Sequence, residues 1–155
     1  MIPKAATIKK LRKVQEYIVM EPRRFDMNFW GMAVRDIDAF AKEYHFSDLA
    51  DLRPPCGTAG CLAGNALVVA KLIKPKYRTD DKLEVFEFPD DTPQIAAKWL
   101  GIDEAEAAKL FYLGGDTDDL GWPHEFTEKY DQAETLRKRA KVLSQRIDHY
   151  IQTGE

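Results

Sequence analysis

The residues best suited to chemistry are two cysteines in the segment 55–66, which reads PCGTAGCLAGNA. If Thr58 caps a helix there, Cys56 lies just before it and Cys61 in its first turn, where backbone N–H groups and the positive helix end stabilise a thiolate. Cys61 is then a candidate nucleophile of a thiol hydrolase, with His124 as the candidate base. The small residues around the cysteines favour a different interpretation, two buried, reduced thiols on a tightly packed helix.

Two further interpretations of the cysteines stay open. A disulfide between Cys56 and Cys61 is conceivable, although nothing in the sequence indicates an oxidising compartment. A zinc site needs more ligands, and the two cysteines lack the second Cys or His pair that such sites use. The histidines lie far apart in the sequence, at His45, His124 and His149. We therefore predict no metal and no cofactor.

The acidic segment 116–121, DTDDLG, begins like a calcium-binding EF-hand loop. Leu120 stands where the fifth position needs an oxygen ligand, and Thr127 stands where the twelfth position needs a bidentate glutamate. The sequence therefore predicts an acidic, solvated turn and no EF-hand site. Its three carboxylates are candidate binding residues for a partner: Asp116, Asp118 and Asp119.

The segment 23–30, RRFDMNFW, combines two arginines with three aromatic residues. Arg23, Arg24 and Trp30 are candidate binding residues, since aromatic rings beside arginines can stack on nucleic-acid bases. Aromatic residues between two helices more often fold back into the core, and we favour that interpretation here.

Charge is divided unevenly along the 155 residues, although the net charge is only −3. Residues 1–24 hold seven bases and two acids, and residues 132–155 hold five bases and three acids. Residues 80–131 hold fifteen acids and four bases. Two mildly basic termini thus flank an acidic centre. Either the terminal segments pack beside the acidic one, or the chain presents a charged surface to a partner.

Most of the chain has the apolar spacing of amphipathic helices. The terminal pattern is the longest, with Ala133, Leu136, Ala140, Leu143 and Ile147 spaced by three and four residues. The predicted helices are 7–20 with Thr7 as N-cap, 31–44, 58–74, one from Thr92-Pro93 to just before Gly101, 104–113, 123–130 and 133–152.

One segment, 82–88 (KLEVFEF), has the composition of a strand. A strand needs a partner, and the connector 24–29 is the only other extended candidate. We therefore predict a mainly α fold, a compact multi-helix single domain over residues 1–155, with at most a small two-stranded β element.

The string Cys56-Gly57-Thr58-x-x-Cys61-x-Ala63-Gly64 resembles a segment of small bacterial and phage-encoded proteins with no known activity. Three later strings follow in the same order, 100–102 (LGI), 110–111 (LF) and 122–123 (WP). The resemblance covers about residues 56–123. It implies a helical fold and carries no catalytic role.

The sequence therefore favours a non-catalytic interaction protein, a bacterial or phage accessory factor that binds another protein through a charged surface. A thiol hydrolase using Cys61 with His124 is one alternative, and nucleic-acid binding by the basic terminal helices is another. No apolar run is long enough to span a membrane, and residues 1–20 lack the apolar core of a signal peptide. We expect a cytoplasmic protein.

Overall fold

A computed structural model describes residues 2–25, 27, 32–34, 58–59, 61–73, 78–80, 83–114 and 121–155. These residues are mainly helical, which confirms the predicted fold class. The helices are α1 (Ala5–Met20), α2 (Leu62–Val69), α3 (Thr92–Leu100), α4 (Glu104–Phe111), α5 (His124–Asp131) and α6 (Leu136–Thr153). The strands are β1 (Met32–Val34), β2 (Thr58–Ala59), β3 (Arg78–Asp80) and β4 (Leu83–Glu87).

Buried side chains from all six helices join one hydrophobic cluster. The predicted spacing of α1 is confirmed, because Leu11, Val14 and Ile18 are fully buried in that cluster. The predicted N-cap is wrong. Lys4 occupies the cap position, while Thr7 lies buried inside the helix and donates its hydroxyl to the Leu100 carbonyl at 2.9 Å. Assignment of the whole chain to one domain stays a prediction.

Helix α6 packs antiparallel to α1, and polar side chains fix their register. The Gln15 amide donates to the Ser144 hydroxyl at 2.8 Å and to the Asp148 carboxylate at 3.1 Å. Arg12, one turn earlier in α1, forms an ion pair with Asp148. The contact runs forward along α1 and backward along α6, so the last turn of α1 lies beside the first turn of α6. The 3-10 turn Pro22–Arg24 also contacts α6.

Several helix ends in the chain's second half lie at the signals in the sequence, whereas α4 ends at Phe111 and not at the predicted 113, and α6 begins at Leu136 and not at the predicted 133. Helix α3 ends at Gly101, whose φ of 77° gives it the left-handed cap conformation that glycine favours. Asp103 and Glu106 form the predicted capping box at the start of α4. Thr135 is the N-cap residue of α6, and its hydroxyl accepts the Lys138 N–H.

The β element is larger than predicted. The four short strands form one antiparallel sheet in the order β2-β1-β4-β3. The predicted strand 82–88 is confirmed as β4, but its partners are β1 and β3 and not the connector 24–29.

Two predicted helices overlap this sheet and are corrected at those positions. Residues 32–34 form β1 and not the start of a helix, while residues 35–44 lie outside the described residues. Thr58 belongs to β2, so α2 starts at Leu62 and Cys61 becomes its N-cap residue.

Three aromatic rings close the core beside α5. The Tyr130 ring meets Phe25 and Trp122 edge to face, with centroids 5.9 and 5.8 Å apart. The Trp122 indole donates to the Leu110 carbonyl at 2.9 Å. These contacts confirm the predicted core position of Phe25. Trp122 is buried as well, whereas Tyr112 is 43% exposed.

Two glycines let the backbones on either side of segment 115–120 touch. The Trp122 N–H donates to the Tyr112 carbonyl at 2.9 Å. A Cβ on Gly114 would overlap the Trp122 carbonyl oxygen, and a Cβ on Gly121, which has φ +103°, would lie 2.8 Å from the Gly114 nitrogen. Only glycine fits both positions without a backbone shift.

We therefore expect Gly114→Ala to lower the free energy of unfolding by about 1–3 kcal/mol, the usual cost of overpacking. Urea unfolding measures this. Ala105→Ser adds one atom on an exposed turn of α4 and should cost about 0.5 kcal/mol. Equal losses in the two variants would contradict the close approach at Gly114.

Candidate functional site

The two candidate catalytic residues, Cys61 and His124, differ in solvent exposure. Cys61 has no exposed surface and belongs to the hydrophobic cluster, whereas His124 lies exposed in the first turn of α5. A nucleophilic thiolate must be reached by its substrate, and a thiol held in apolar surroundings is inert. The structure therefore gives the thiol-hydrolase interpretation no support, and it agrees with the interpretation of Cys61 as a buried core residue.

Arg24 is held within the protein. Its guanidinium carbon lies 3.9 Å from the centroid of the Tyr17 ring, and Nη1 donates to the Tyr17 carbonyl at 2.9 Å. Arg24 also contributes its own carbonyl, which accepts from the Asn65 amide at 2.8 Å. These contacts give Arg24 a structural role at the junction of α1 and α2. The backbone of Arg23 lies in the same 3-10 turn.

Five of the candidate residues lie outside the described residues: Cys56, Trp30, Asp116, Asp118 and Asp119. The proposed contacts of these residues stay predictions.

The basic residues of both termini form two groups on the paired helices α1 and α6. The two helices carry nine bases and two acids, Glu16 and Asp148. Three of the bases turn toward the protein: Lys10 donates to the Trp99 carbonyl, Arg139 donates to the Ala133 carbonyl, and Arg146 is fully buried. Six bases are exposed: Lys9, Arg12, Lys13, Arg137, Lys138 and Lys141.

Ion pairs between described residues either join α1 to α6 or link neighbouring turns of the chain. Arg12 pairs with Asp148 across the helix pair. Lys129 pairs with Glu125 at 3.7 Å, and Lys138 pairs with Glu134 at 3.6 Å, each four residues apart. Within this part of the chain, the terminal helices pack on each other and their exposed bases remain directed to solvent.

Two exposed apolar side chains lie beside the basic end of α6. Val19 is 50% exposed and Met20 is 76% exposed, at the last turn of α1. The antiparallel register places this turn next to Arg137 and Lys141 in the first turns of α6. We call Val19, Met20, Arg137 and Lys141 the junction patch. The junction patch was not predicted from the sequence. One signal was present there, because Val19 and Met20 are apolar residues outside the buried stripe that ends at Ile18.

A buried polar pair, Arg146 and Tyr150, lies on the inner face of α6, and both side chains have no exposed surface. Arg146 Nη1 donates to the Glu155 main-chain oxygen at 2.5 Å, and Nη2 donates to the Lys109 carbonyl at 2.9 Å. Burial lowers the pKa of the Arg146 guanidinium to about 10, and the nearby Tyr150 opposes that shift.

Tyr150 is the less satisfied member of this pair. Burial raises the pKa of its hydroxyl, and the negative charges of Glu106 and Asp103 raise it further. A polar contact with the Glu106 carboxylate raises the pKa as well. By strict limits of distance and angle, the hydroxyl is one of four buried side-chain atoms without a hydrogen-bond partner in the described structure.

The described residues contain no group of three or more His, Cys, Asp or Glu side chains placed to hold a metal ion. Among the helices with described residues, none combines the length and the apolar character needed to cross a bilayer.

Comparisons with protein-family models, with curated proteins and with solved structures found no match to this chain.

The two buried tyrosine hydroxyls allow a matched test of the core. Tyr130→Phe removes the acceptor of the Met27 N–H, a hydrogen bond of 3.1 Å, and should cost about 1 kcal/mol of unfolding free energy at pH 7. Tyr150→Phe removes a hydroxyl that makes no hydrogen bond and should change stability by less than about 0.5 kcal/mol. Chemical denaturation measures both.

The Tyr150→Phe variant also tests how the free energy of unfolding depends on pH. The pKa of Tyr150 is raised in the folded state, so the stability linked to its neutral form is complete below an unfolded pKa of about 10 and is lost as the pH rises above it. Tyr150→Phe should therefore gain stability relative to the wild type above about pH 10. A stability difference between the variant and the wild type that stays constant above pH 10 would contradict the raised pKa of Tyr150.

Proposed function

We propose that this protein is a non-catalytic interaction protein whose junction patch binds an acidic, partly apolar segment of another protein. It would act in the cytoplasm as a bacterial or phage accessory factor. The observation that carries the proposal is the exposure of Val19 and Met20 beside exposed Arg137 and Lys141. Apolar anchors flanked by charge are a common composition of protein interfaces.

The apolar part of the patch supplies affinity. Met20 exposes three quarters of its surface, and burying a methionine or valine side chain against a partner is worth about 1.5–3 kcal/mol each. Methionine also adapts to irregular partner surfaces, because its side chain is unbranched and flexible. The bases beside these residues would steer an acidic partner to the patch and fix its orientation.

The distribution of charge favours a protein over a nucleic acid. From a rise of 1.5 Å per residue and the antiparallel register, the centres of the exposed bases of α1 and of α6 are about 15 Å apart along the helix pair. Glu16 lies between the two groups, and Asp148 pairs with Arg12 inside the first group. Acidic residues within a basic surface repel a phosphate backbone. Nucleic-acid binding by the terminal helices is retained as the alternative that the experiment below separates.

Binding is tested with defined probes on the full chain. A fluorescein-labelled helical peptide rich in glutamate and leucine should raise fluorescence anisotropy at physiological salt. The double variant Met20→Ser, Lys141→Glu should weaken binding of this peptide by about tenfold or more, because it removes one apolar anchor and reverses one charge.

The matched control is Leu72→Ser with Lys98→Glu, which changes an exposed leucine and an exposed lysine elsewhere on the surface. This variant should bind the peptide as the wild type does. The proposal is wrong if the acidic peptide does not bind, or if both double variants weaken binding equally. Tighter binding of a short DNA duplex, falling steeply with salt, would instead support the nucleic-acid alternative.

A further inference from the structure

A cavity of about 460 Å³ lies at the end of the helix pair opposite to the junction patch. It forms where residues 2–4 meet the α3–α4 connection at 101–103, the first turns of α4, and Gly154 after α6. Its volume falls within the range of small-molecule sites. Three segments far apart in the sequence meet there, near residues 2–7, 101–109 and 154, so the cavity depends on the folded chain.

Side chains of both charges line this cavity. Asp103 and Glu106 supply two carboxylates, and Lys4 and Lys109 supply two ammonium groups. Each carboxylate uses one oxygen in the capping box, Asp103 Oδ1 at 2.8 Å and Glu106 Oε2 at 3.1 Å, which leaves its second oxygen outside that motif. The Lys109 ammonium makes a long contact of 3.4 Å with the Gly154 carbonyl.

We propose that the cavity binds a small zwitterion of the α-amino-acid class with an apolar side chain. Its carboxylate would be held by Lys4 and Lys109, and its ammonium group by Asp103 and Glu106. The apolar side chain would lie against Ile102 and the neighbouring apolar lining. A ligand with one charge would leave two like charges of the lining facing it, so the mixture of charges favours a molecule that carries both.

Three probes with nearly the same carbon skeleton separate these charges. L-Leucine carries both groups, isoamylamine carries only the ammonium group, and 4-methylpentanoate carries only the carboxylate. Each is titrated into the full chain to about 10 mM, which detects even a millimolar Kd. Two-dimensional amide NMR should show shifts for leucine at residues 101–109 and 154. The two single-charge probes should bind about tenfold more weakly, because each lacks one set of charged hydrogen bonds.

Glu106→Gln and Lys109→Gln should each weaken leucine binding by about tenfold, since each removes one charged contact. Glutamine can replace glutamate in a capping box, so α4 is retained in the first variant. Glu125→Gln and Lys129→Gln, on α5, are the matched controls and should leave binding unchanged.

The proposal is overturned if leucine causes no shifts, if its shifts lie away from the cavity, or if a single-charge probe binds as tightly as leucine. Because the junction patch is at the other end of the helix pair, Met20→Ser with Lys141→Glu should not alter leucine binding. The two proposals therefore fail independently.

Discussion

The contact between α1 and α6 determines where the other elements can lie. Gln15 is 9% exposed, and its amide reaches Ser144 and Asp148 across the helix pair. A slip of one helical turn would leave this buried amide without acceptors, and such a loss costs about 1–3 kcal/mol. The polar contact therefore fixes the axial register, while the apolar stripes of both helices supply the driving force. Helix α1 then presents its other sides to α2 and α3.

Long periodic segments and local end signals could be read from the sequence, and non-local pairing could not. The seam of α6 is confirmed, with Ala140, Leu143 and Ile147 all buried, and so is the capping box at Asp103. The sheet was underestimated because its strands have two to five residues, and their pairing depends on partners far along the chain. Strand pairing also shortened α2. Because Thr58 pairs in β2, the helix begins at Leu62 and not at the predicted residue 58.

The candidate site was also predicted only in part from the sequence. Counting charges identified the basic termini, but only the antiparallel packing of α1 and α6 shows that their exposed bases form two groups toward opposite ends of the helix pair. The sequence also gave Arg24 the appearance of a binding residue, whereas its stacking on Tyr17 depends on the return of the chain after α1. Val19 and Met20 were missed because an exposed apolar residue becomes informative only when its neighbours are known. The charged cavity could not be predicted either, since its lining comes from three separated segments.

The meeting of residues 112–114 with residues 121–122 has an evolutionary consequence. The two backbones meet at the hydrogen bond from the Trp122 N–H to the Tyr112 carbonyl. The entropic cost of closing a loop grows slowly with its length, so substitutions or insertions at 115–120 need not disturb α4 or α5. Related chains can therefore diverge in this acidic segment while they keep the same helical scaffold, which makes it a place where new specificity can evolve.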